Sequence, residues 1–222
     1  MGQVIELTAS DGHRFSAYRA TPQGKIRGAL VVVQEIFGVN SHIRGVADGY
    51  AADGYMSLAP ALYDRAQRNY ETGYSQEEIQ AGIEIMQKLD WNNTMHDVQA
   101  TLDALKFSGK VAIVGYCWGG TVAWLAAARL SGLACAVPYY GGGIASFVNE
   151  KPKCPVMFQF GEQDQSPSLE QAKQIAAAHP TALANFYAAG HGFNCDQRGS
   201  FNAAASKLAR TRTLEFLAKH VG

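Results

Sequence analysis

The stretch Val111-Ala112-Ile113-Val114-Gly115-Tyr116-Cys117-Trp118-Gly119-Gly120 offers a thiol for nucleophilic chemistry. An apolar, β-branched run enters Gly-x-Cys-x-Gly, and an alanine-rich apolar segment, Trp118 to Leu130, leaves it. A strand that turns sharply into a helix holds its central residue in strained backbone geometry. Glycines on either side let strand and helix approach closely. The thiol then stands at the carboxyl edge of a sheet, over a helix N-terminus whose positive dipole end favours a thiolate. The N–H of Trp118 points toward the same spot and is a candidate oxyanion donor. A dinucleotide fingerprint would need glycine at 117, and a Walker A loop would need Gly-Lys-Ser/Thr to follow. Neither is present, and Cys117 is read as a nucleophile rather than as a structural cysteine.

Such a nucleophile needs a carboxylate and an imidazole, following it in that order. Three histidines follow Cys117. His179 precedes Pro180 at the end of a helical pattern and reads as a C-terminal cap, and His220 lies in a tail expected to fray. His191 sits in Ala189-Gly190-His191-Gly192-Phe193, where flanking glycines let a loop bring a ring into a crowded site. The carboxylate is expected just past a strand, in Gly161-Glu162-Gln163-Asp164. Asp164 is preferred to Glu162, because it lies in the loop leading to the next helix. From there it can bond the far ring nitrogen of His191 and fix the tautomer that takes the thiol proton.

The elements that must hold these groups are legible as alternating patterns. Strands are expected at 4–7, 14–19, 28–33, 55–58, 110–114, 134–137, 156–160 and 185–188. Helices are expected at 75–88, 94–105, 118–130, 168–178 and 202–219. Two of them open with capping-box spacings, Ser75 to Glu78 and Ser168 to Gln171. The pattern implies an α/β fold, a single three-layer domain over 1–222 with a mostly parallel sheet of about eight strands. The first two strands are too close for a crossover helix and are expected antiparallel at one edge. Residues 63–74 and 150–153 are both candidate mobile edges over a pocket.

Composition narrows the function classes. Of 222 residues 47% are hydrophobic and 17% charged, which excludes a disordered chain. The formal net charge is zero with no basic stripe, so no nucleic-acid partner is expected. The longest apolar run is far short of the roughly 20 residues of a membrane span. MGQVIELTAS shows no signal-peptide pattern, and no membrane partner is expected. Cysteines at 117, 135, 154 and 195 form no C-x-x-C pair and no disulfide framework, which points to reduced thiols and a cytoplasmic location.

Four landmarks, Gln34-Glu35-Ile36-Phe37-Gly38, Gly115-Tyr116-Cys117-Trp118-Gly119-Gly120, Gly161-Glu162-Gln163-Asp164 and Gly190-His191-Gly192-Phe193, resemble those of the dienelactone hydrolase family, a branch of the α/β-hydrolase fold. Ala59-Pro60-Ala61-Leu62-Tyr63 also looks like a family stretch, and the resemblance covers nearly the whole chain. It implies an enzyme that hydrolyses a small ester or lactone through a Cys-His-Asp triad and a thioester, with no cofactor and no metal. It also implies that Glu35 guards the resting thiol, and the N–H of Ile36 then becomes the second oxyanion donor. The chain departs from the family where the substrate carboxylate is held. Cys195 stands where an arginine is usual, and Glu77-Glu78-Ile79-Gln80 offers none either. Arg65, Arg68 and Arg198 are the remaining candidates, and dienelactone specificity is expected to be weakened or changed.

Aromatic residues near strand ends, Phe37, Tyr63, Trp118, Tyr139, Tyr140 and Phe193, are expected as pocket walls. The partner is a small-molecule ester or lactone, and the chain a monomer or small homo-oligomer. Two competing classes remain: a non-catalytic small-molecule binding protein on the same scaffold, and a metal-dependent hydrolase using Cys117, Asp164, His191 and Cys195.

Overall fold

Every residue of Gly28–Val33 (β3) and of Val111–Tyr116 (β5) is buried in the computed structural model, which describes residues 2–222. Successive strand residues point to opposite faces. Ala29, Val31 and Val33 therefore enter one apolar core, and Leu30 and Val32 the other. A strand apolar at every position requires cover on both faces, which the helices supply.

The remaining strands are β1 (Gln3–Thr8), β2 (Arg14–Ala20), β4 (Tyr55–Pro60), β6 (Leu133–Tyr139), β7 (Met157–Gly161) and β8 (Leu183–Tyr187). They form one sheet in the order β1-β2-β4-β3-β5-β6-β7-β8. β2 pairs antiparallel with both β1 and β4, and every other pairing is parallel. The helices are α1 (Ser41–Ala52), α2 (Gln76–Met86), α3 (Trp91–Leu105), α4 (Trp118–Arg129), α5 (Leu169–Ala178) and α6 (Ala203–His220). α1 and α6 cover one face through Ile43, Ala47, Tyr50, Ala209, Phe216 and Leu217. α3, α4 and α5 cover the other through Val98, Leu102, Val122, Leu125, Ala172 and Ile175. This is the three-layer α/β architecture expected, with eight strands. Among the described residues no helix is long and apolar enough to cross a membrane.

The differences from expectation are local. α1 was absent from the sequence pattern because Gly45 and Gly49 lower its helix propensity. It forms because Asn40 caps it, accepting from the Ile43 N–H, and because His42, Ile43, Ala47, Tyr50 and Ala51 make a buried face. His220 is not in a frayed tail. It ends α6, edge-on to Phe216 with ring centroids 4.5 Å apart. The expected flap at 63–74 is pinned. Buried Asp64 accepts the Ser16 N–H at 2.8 Å and the Asn69 N–H at 3.0 Å. At the other expected edge, Arg129 binds Glu150 in a fork through Nε and Nη2.

Candidate active site

Parallel strands end along one edge of the sheet, and the loops beyond those ends carry the polar groups. Cys117 follows β5 directly, Glu35 follows β3, Asp164 follows β7, and His191 follows β8. Cys117 has φ 56° and ψ −121°, a positive-φ conformation uncommon for any residue but glycine. Its neighbours explain how the turn is tolerated. A Cβ on Gly115 would strike the Gly119 carbonyl oxygen, one on Gly119 would strike the Gln34 carbonyl oxygen and lie 2.7 Å from that of Val33, and one on Gly120 would strike that of Tyr139. The first turn of α4 thus rests directly on the backbone at the ends of β3 and β6, and only glycine permits it.

This close approach puts a thiol, an imidazole and a carboxylate in one hydrogen-bonded line. Cys117 Sγ lies 3.1 Å from His191 Nε2. His191 Nδ1–H donates to Asp164 Oδ2 at 2.9 Å. Asp164 is buried, and its Oδ1 also accepts the Ser166 N–H at 2.7 Å, so the carboxylate is held from both sides. Burial alone would push the His191 imidazole down. The charge of a Cys117 thiolate and the hydrogen bonds to Asp164 and Cys117 reverse this and hold it well above the ordinary histidine value. His191 Nε2 is thus placed to take the proton that the thiol gives up on attack. In Cys117→Ala the sulfur's contribution is gone and burial is opposed by Asp164 alone. The His191 pKa is then expected to fall, followed by NMR titration of the ring Cε1–H. A value equal to or above wild type would show that the sulfur does not hold the proton.

Cys117 and His191 open into a cavity of about 430 Å³. Ile36 and Trp118 line it, and their backbone N–H groups are the pair expected to face an oxyanion. Trp118 begins α4, so its N–H has no partner within the helix. Opposite the sulfur, Ile79, Ile83 and Met86 of α2, with Trp91 of α3, form an apolar wall.

The aromatic wall expected from sequence is corrected by the structure. Phe37, Tyr63, Tyr139 and Phe193 are each buried to within 1% and none lines the cavity. Phe37 packs edge-on to Tyr74 with centroids 4.6 Å apart. Tyr63 stands behind Trp118, its hydroxyl donating to the Gly82 carbonyl at 3.3 Å. Tyr139 turns toward α6, where its hydroxyl meets Thr213 Oγ1 at 2.7 Å, and Phe193 packs on the same side. Tyr140 is buried against His191 and Phe193, and of the expected aromatics Trp118 alone is in the wall. The parity of a residue beyond a strand end is set by the path of its loop, which periodicity does not reveal. The residues that do form the wall had a signal. Ile79, Ile83 and Met86 recur at i, i+4, i+7, but such a stripe reads as core until the helix is seen to face a cavity.

The three arginines left open are also resolved. Arg65 is bound to Asp97 and Asp11, and Arg68 reaches Glu6 on the outer surface. Arg198 lines the cavity, its Nη1 donating to Glu35 Oε1 at 3.4 Å and its guanidinium lying over the Phe37 ring. Glu35, 1% exposed, therefore faces Arg198, and Cys117 has His191 rather than Glu35 as its hydrogen-bond partner. Cys195 is directed elsewhere as well. Its thiol donates to the Tyr74 hydroxyl at 3.4 Å, and its sulfur gathers with Glu35 and His42 rather than with Cys117, Asp164 and His191.

The model of the dienelactone hydrolase family matches residues 15–221. The chain belongs to this family. It is 33% identical over 225 residues to carboxymethylenebutenolidase 1 of Cupriavidus pinatubonensis, covering 96% of this chain and 95% of that one. It is 32% identical, with the same coverage, to the carboxymethylenebutenolidase of Pseudomonas putida. A crystal structure from Klebsiella pneumoniae, provisionally named a dienelactone hydrolase, superposes with a TM-score of 0.83 at 28% identity, covering 98% of this chain and 99% of that one. Family membership and the cysteine at the strand–helix turn identify a cysteine-dependent carboxylic ester or lactone hydrolase.

Proposed function

We propose that this protein hydrolyses a small, uncharged ester or lactone with Cys117 as nucleophile. The observation that carries this reading is the 3.1 Å contact between Cys117 Sγ and His191 Nε2, at the mouth of a cavity with an apolar wall. The Cys117 sulfur, its proton passed to His191 Nε2, attacks the carbonyl carbon, and the N–H groups of Ile36 and Trp118 receive the charge that develops on its oxygen. The imidazolium of His191 protonates the departing alkoxide, leaving a thioester on the sulfur. His191, now neutral, takes a proton from water as that water attacks the thioester, and returns it to the departing sulfur as the acid leaves, which restores thiol and imidazole. Asp164 fixes the ring orientation throughout.

Substrate charge follows from the ion pairs. Arg198 is the guanidinium in the cavity wall, and it is partnered by buried Glu35. An anionic substrate must compete with that carboxylate for the guanidinium, whereas an apolar acyl or alcohol group finds Ile79, Ile83, Met86 and Trp91 ready to receive it. Glu35 acts here as the counter-charge of Arg198, keeping it from drawing anions beside the thiolate. All four cysteines are free, which suits a reducing, cytoplasmic setting. The substrate is the partner in this reading, with neither nucleic acid nor membrane, and the chain works as a monomer or small homo-oligomer.

The test is turnover of short p-nitrophenyl esters, neutral lactones and a carboxylate-bearing dienelactone. Trapping of the acyl group on Cys117 by quenched mass spectrometry accompanies it. Neutral substrates are expected to exceed the anionic one in kcat/KM by about tenfold or more, about 1.4 kcal/mol. In Glu35→Gln, which frees the guanidinium, KM for the anionic lactone is expected to fall relative to the neutral ester. Equal rates in wild type would overturn the charge assignment, and binding of the panel without turnover would overturn the hydrolase and favour a binding protein.

A further inference from the structure

Behind the cavity wall, on the far side of Glu35, three side chains with metal-binding atoms converge without taking part in the chemistry above. A carboxylate oxygen of Glu35, a ring nitrogen of His42 and Cys195 Sγ all lie within 4.8 Å of one another. They come from three separate elements, the loop after β3, the first turn of α1 and the loop after His191. Each is nine-tenths buried or more: Glu35 is 1% exposed, His42 5% and Cys195 0%.

Two of the three carry a buried polar atom that has no hydrogen-bond partner among the described residues, His42 Nε2 and Glu35 Oε2. Buried groups of this kind are normally satisfied, and each one left alone calls for a physical reason. Here the other end of every side chain is already held. His42 Nδ1 meets Asp196 Oδ1 at 3.0 Å, which leaves Nε2 as the free lone pair. Glu35 Oε1 accepts from Arg198, which leaves Oε2. Cys195 is oriented by the Tyr74 hydroxyl, and that hydroxyl is fixed in turn by the Asn40 side-chain amide at 2.9 Å. A carboxylate on the distal nitrogen of a ligand histidine, and hydrogen-bonded partners behind the other ligands, are what orient the ligands of a protein metal site.

We infer that Glu35, His42 and Cys195 form a binding site for a zinc-class divalent cation, distinct from the Cys117–His191 pair. A thiolate, an imidazole and a carboxylate suit Zn2+, whose bonds to them are about 2.0–2.3 Å. The three atoms must draw together from their present spacing, and short movements of three side chains supply that. On binding, Cys195 gives its thiol proton to solvent and its sulfur bonds the metal. Loss of that proton offsets one of the ion's two positive charges, and the Glu35 carboxylate, which also faces Arg198, shares the one that is added. Beside these residues, His42 also lines a cleft of about 480 Å³ with Asn194 and Asp196. Three protein ligands leave one position of a tetrahedron for water or for the Tyr74 hydroxyl.

The catalytic thiol and imidazole are themselves a potential zinc trap, so the experiment uses the full chain carrying Cys117→Ser. After chelation and dialysis this variant is titrated with Zn2+ by calorimetry and with Co2+ by absorption. One ion per chain is expected, with a thiolate-to-cobalt charge-transfer band in the near ultraviolet. Adding Cys195→Ser is expected to abolish that band and weaken binding about tenfold or more. Asp196→Asn, on an exposed residue whose loss does not threaten folding, is expected to weaken binding about tenfold through His42 while keeping the band. Circular dichroism melts of the metal-free variants check that each is folded, and His42→Gln serves as a further ligand variant. Absence of binding in the Cys117→Ser protein would overturn the inference. So would unchanged affinity after Cys195→Ser, because the ion would then lie elsewhere.

Discussion

Cys117→Ala is expected to lower kcat/KM for a small neutral ester by about 10³-fold or more while leaving the protein folded, with Tm within about 2 °C of wild type. The two halves of this expectation have separate causes. The sulfur is the atom that bonds the substrate carbon, and neither His191 nor the backbone amides replace it. Removing one member of a nucleophile–base unit costs nearly as much as removing the unit, and what survives comes from the oxyanion donors and binding. Stability is spared because Cys117 is half-buried and alanine keeps the Cβ, so the strain at φ 56° is neither relieved nor increased. Initial rates across a substrate series and a thermal melt read both. Turnover within tenfold of wild type would mean that Cys117 is not the nucleophile. A Tm lowered by about 10 °C would mean that the activity loss reports unfolding instead.

The second large effect is structural and reaches the chemistry indirectly. Gly119→Ala puts a Cβ against the Gln34 carbonyl oxygen and 2.7 Å from the Val33 carbonyl oxygen, both of them backbone atoms at the end of β3. Neither can yield as a flexible side chain yields, so α4 must withdraw from the strand. Overpacking of this kind costs about 3 kcal/mol, which for a chain of this length lowers Tm by about 6–12 °C. At temperatures where the variant is folded, kcat/KM is expected to fall as well, because the β3 end carries Ile36 and the α4 start carries Trp118. Gly45→Ala in α1 is the control. A Cβ there meets nothing within 4 Å, and alanine favours the helix. Its Tm is expected to rise by about 1–4 °C, for a gain of about 0.5–1 kcal/mol. If Gly119→Ala melts like wild type, the close approach of α4 to β3 is not what holds the turn.

The two variants bear on how much of the site was legible beforehand. Gly115, Cys117, Gly119 and Gly120 could be read as a strand–helix turn because each residue type has a local reason to be there. A tight turn excludes side chains at the flanks and exposes the central one, and that requirement is written in adjacent residues. The capping boxes at Ser75 and Ser168 are local in the same sense, and both form as their spacing implies. α1 escaped because what stabilises it is not local. Its two glycines argue against a helix, and its buried face is favourable only once β4 and β2 lie beneath it.

The order of chemical groups along the chain, the alternation of strands and helices, and the glycines of the turn are properties of the sequence alone. They determined an α/β sheet with a thiol at its carboxyl edge, followed by a carboxylate and then an imidazole. The tertiary structure decided distances and sides. It brought His191 to Asp164 across a gap of 27 residues and to Cys117 across one of 74. It turned Phe37, Tyr63, Tyr139 and Phe193 into the core and lined the cavity with α2 instead. It selected Arg198 over Arg65 and Arg68 as the cavity's guanidinium, and set Glu35 between that arginine and the His42–Cys195 pair. The reason is the same in each case. Spacing along the chain fixes which face of its own element a residue occupies, whereas which neighbour it meets depends on how layers pack, and that is settled only when all of them close on one another.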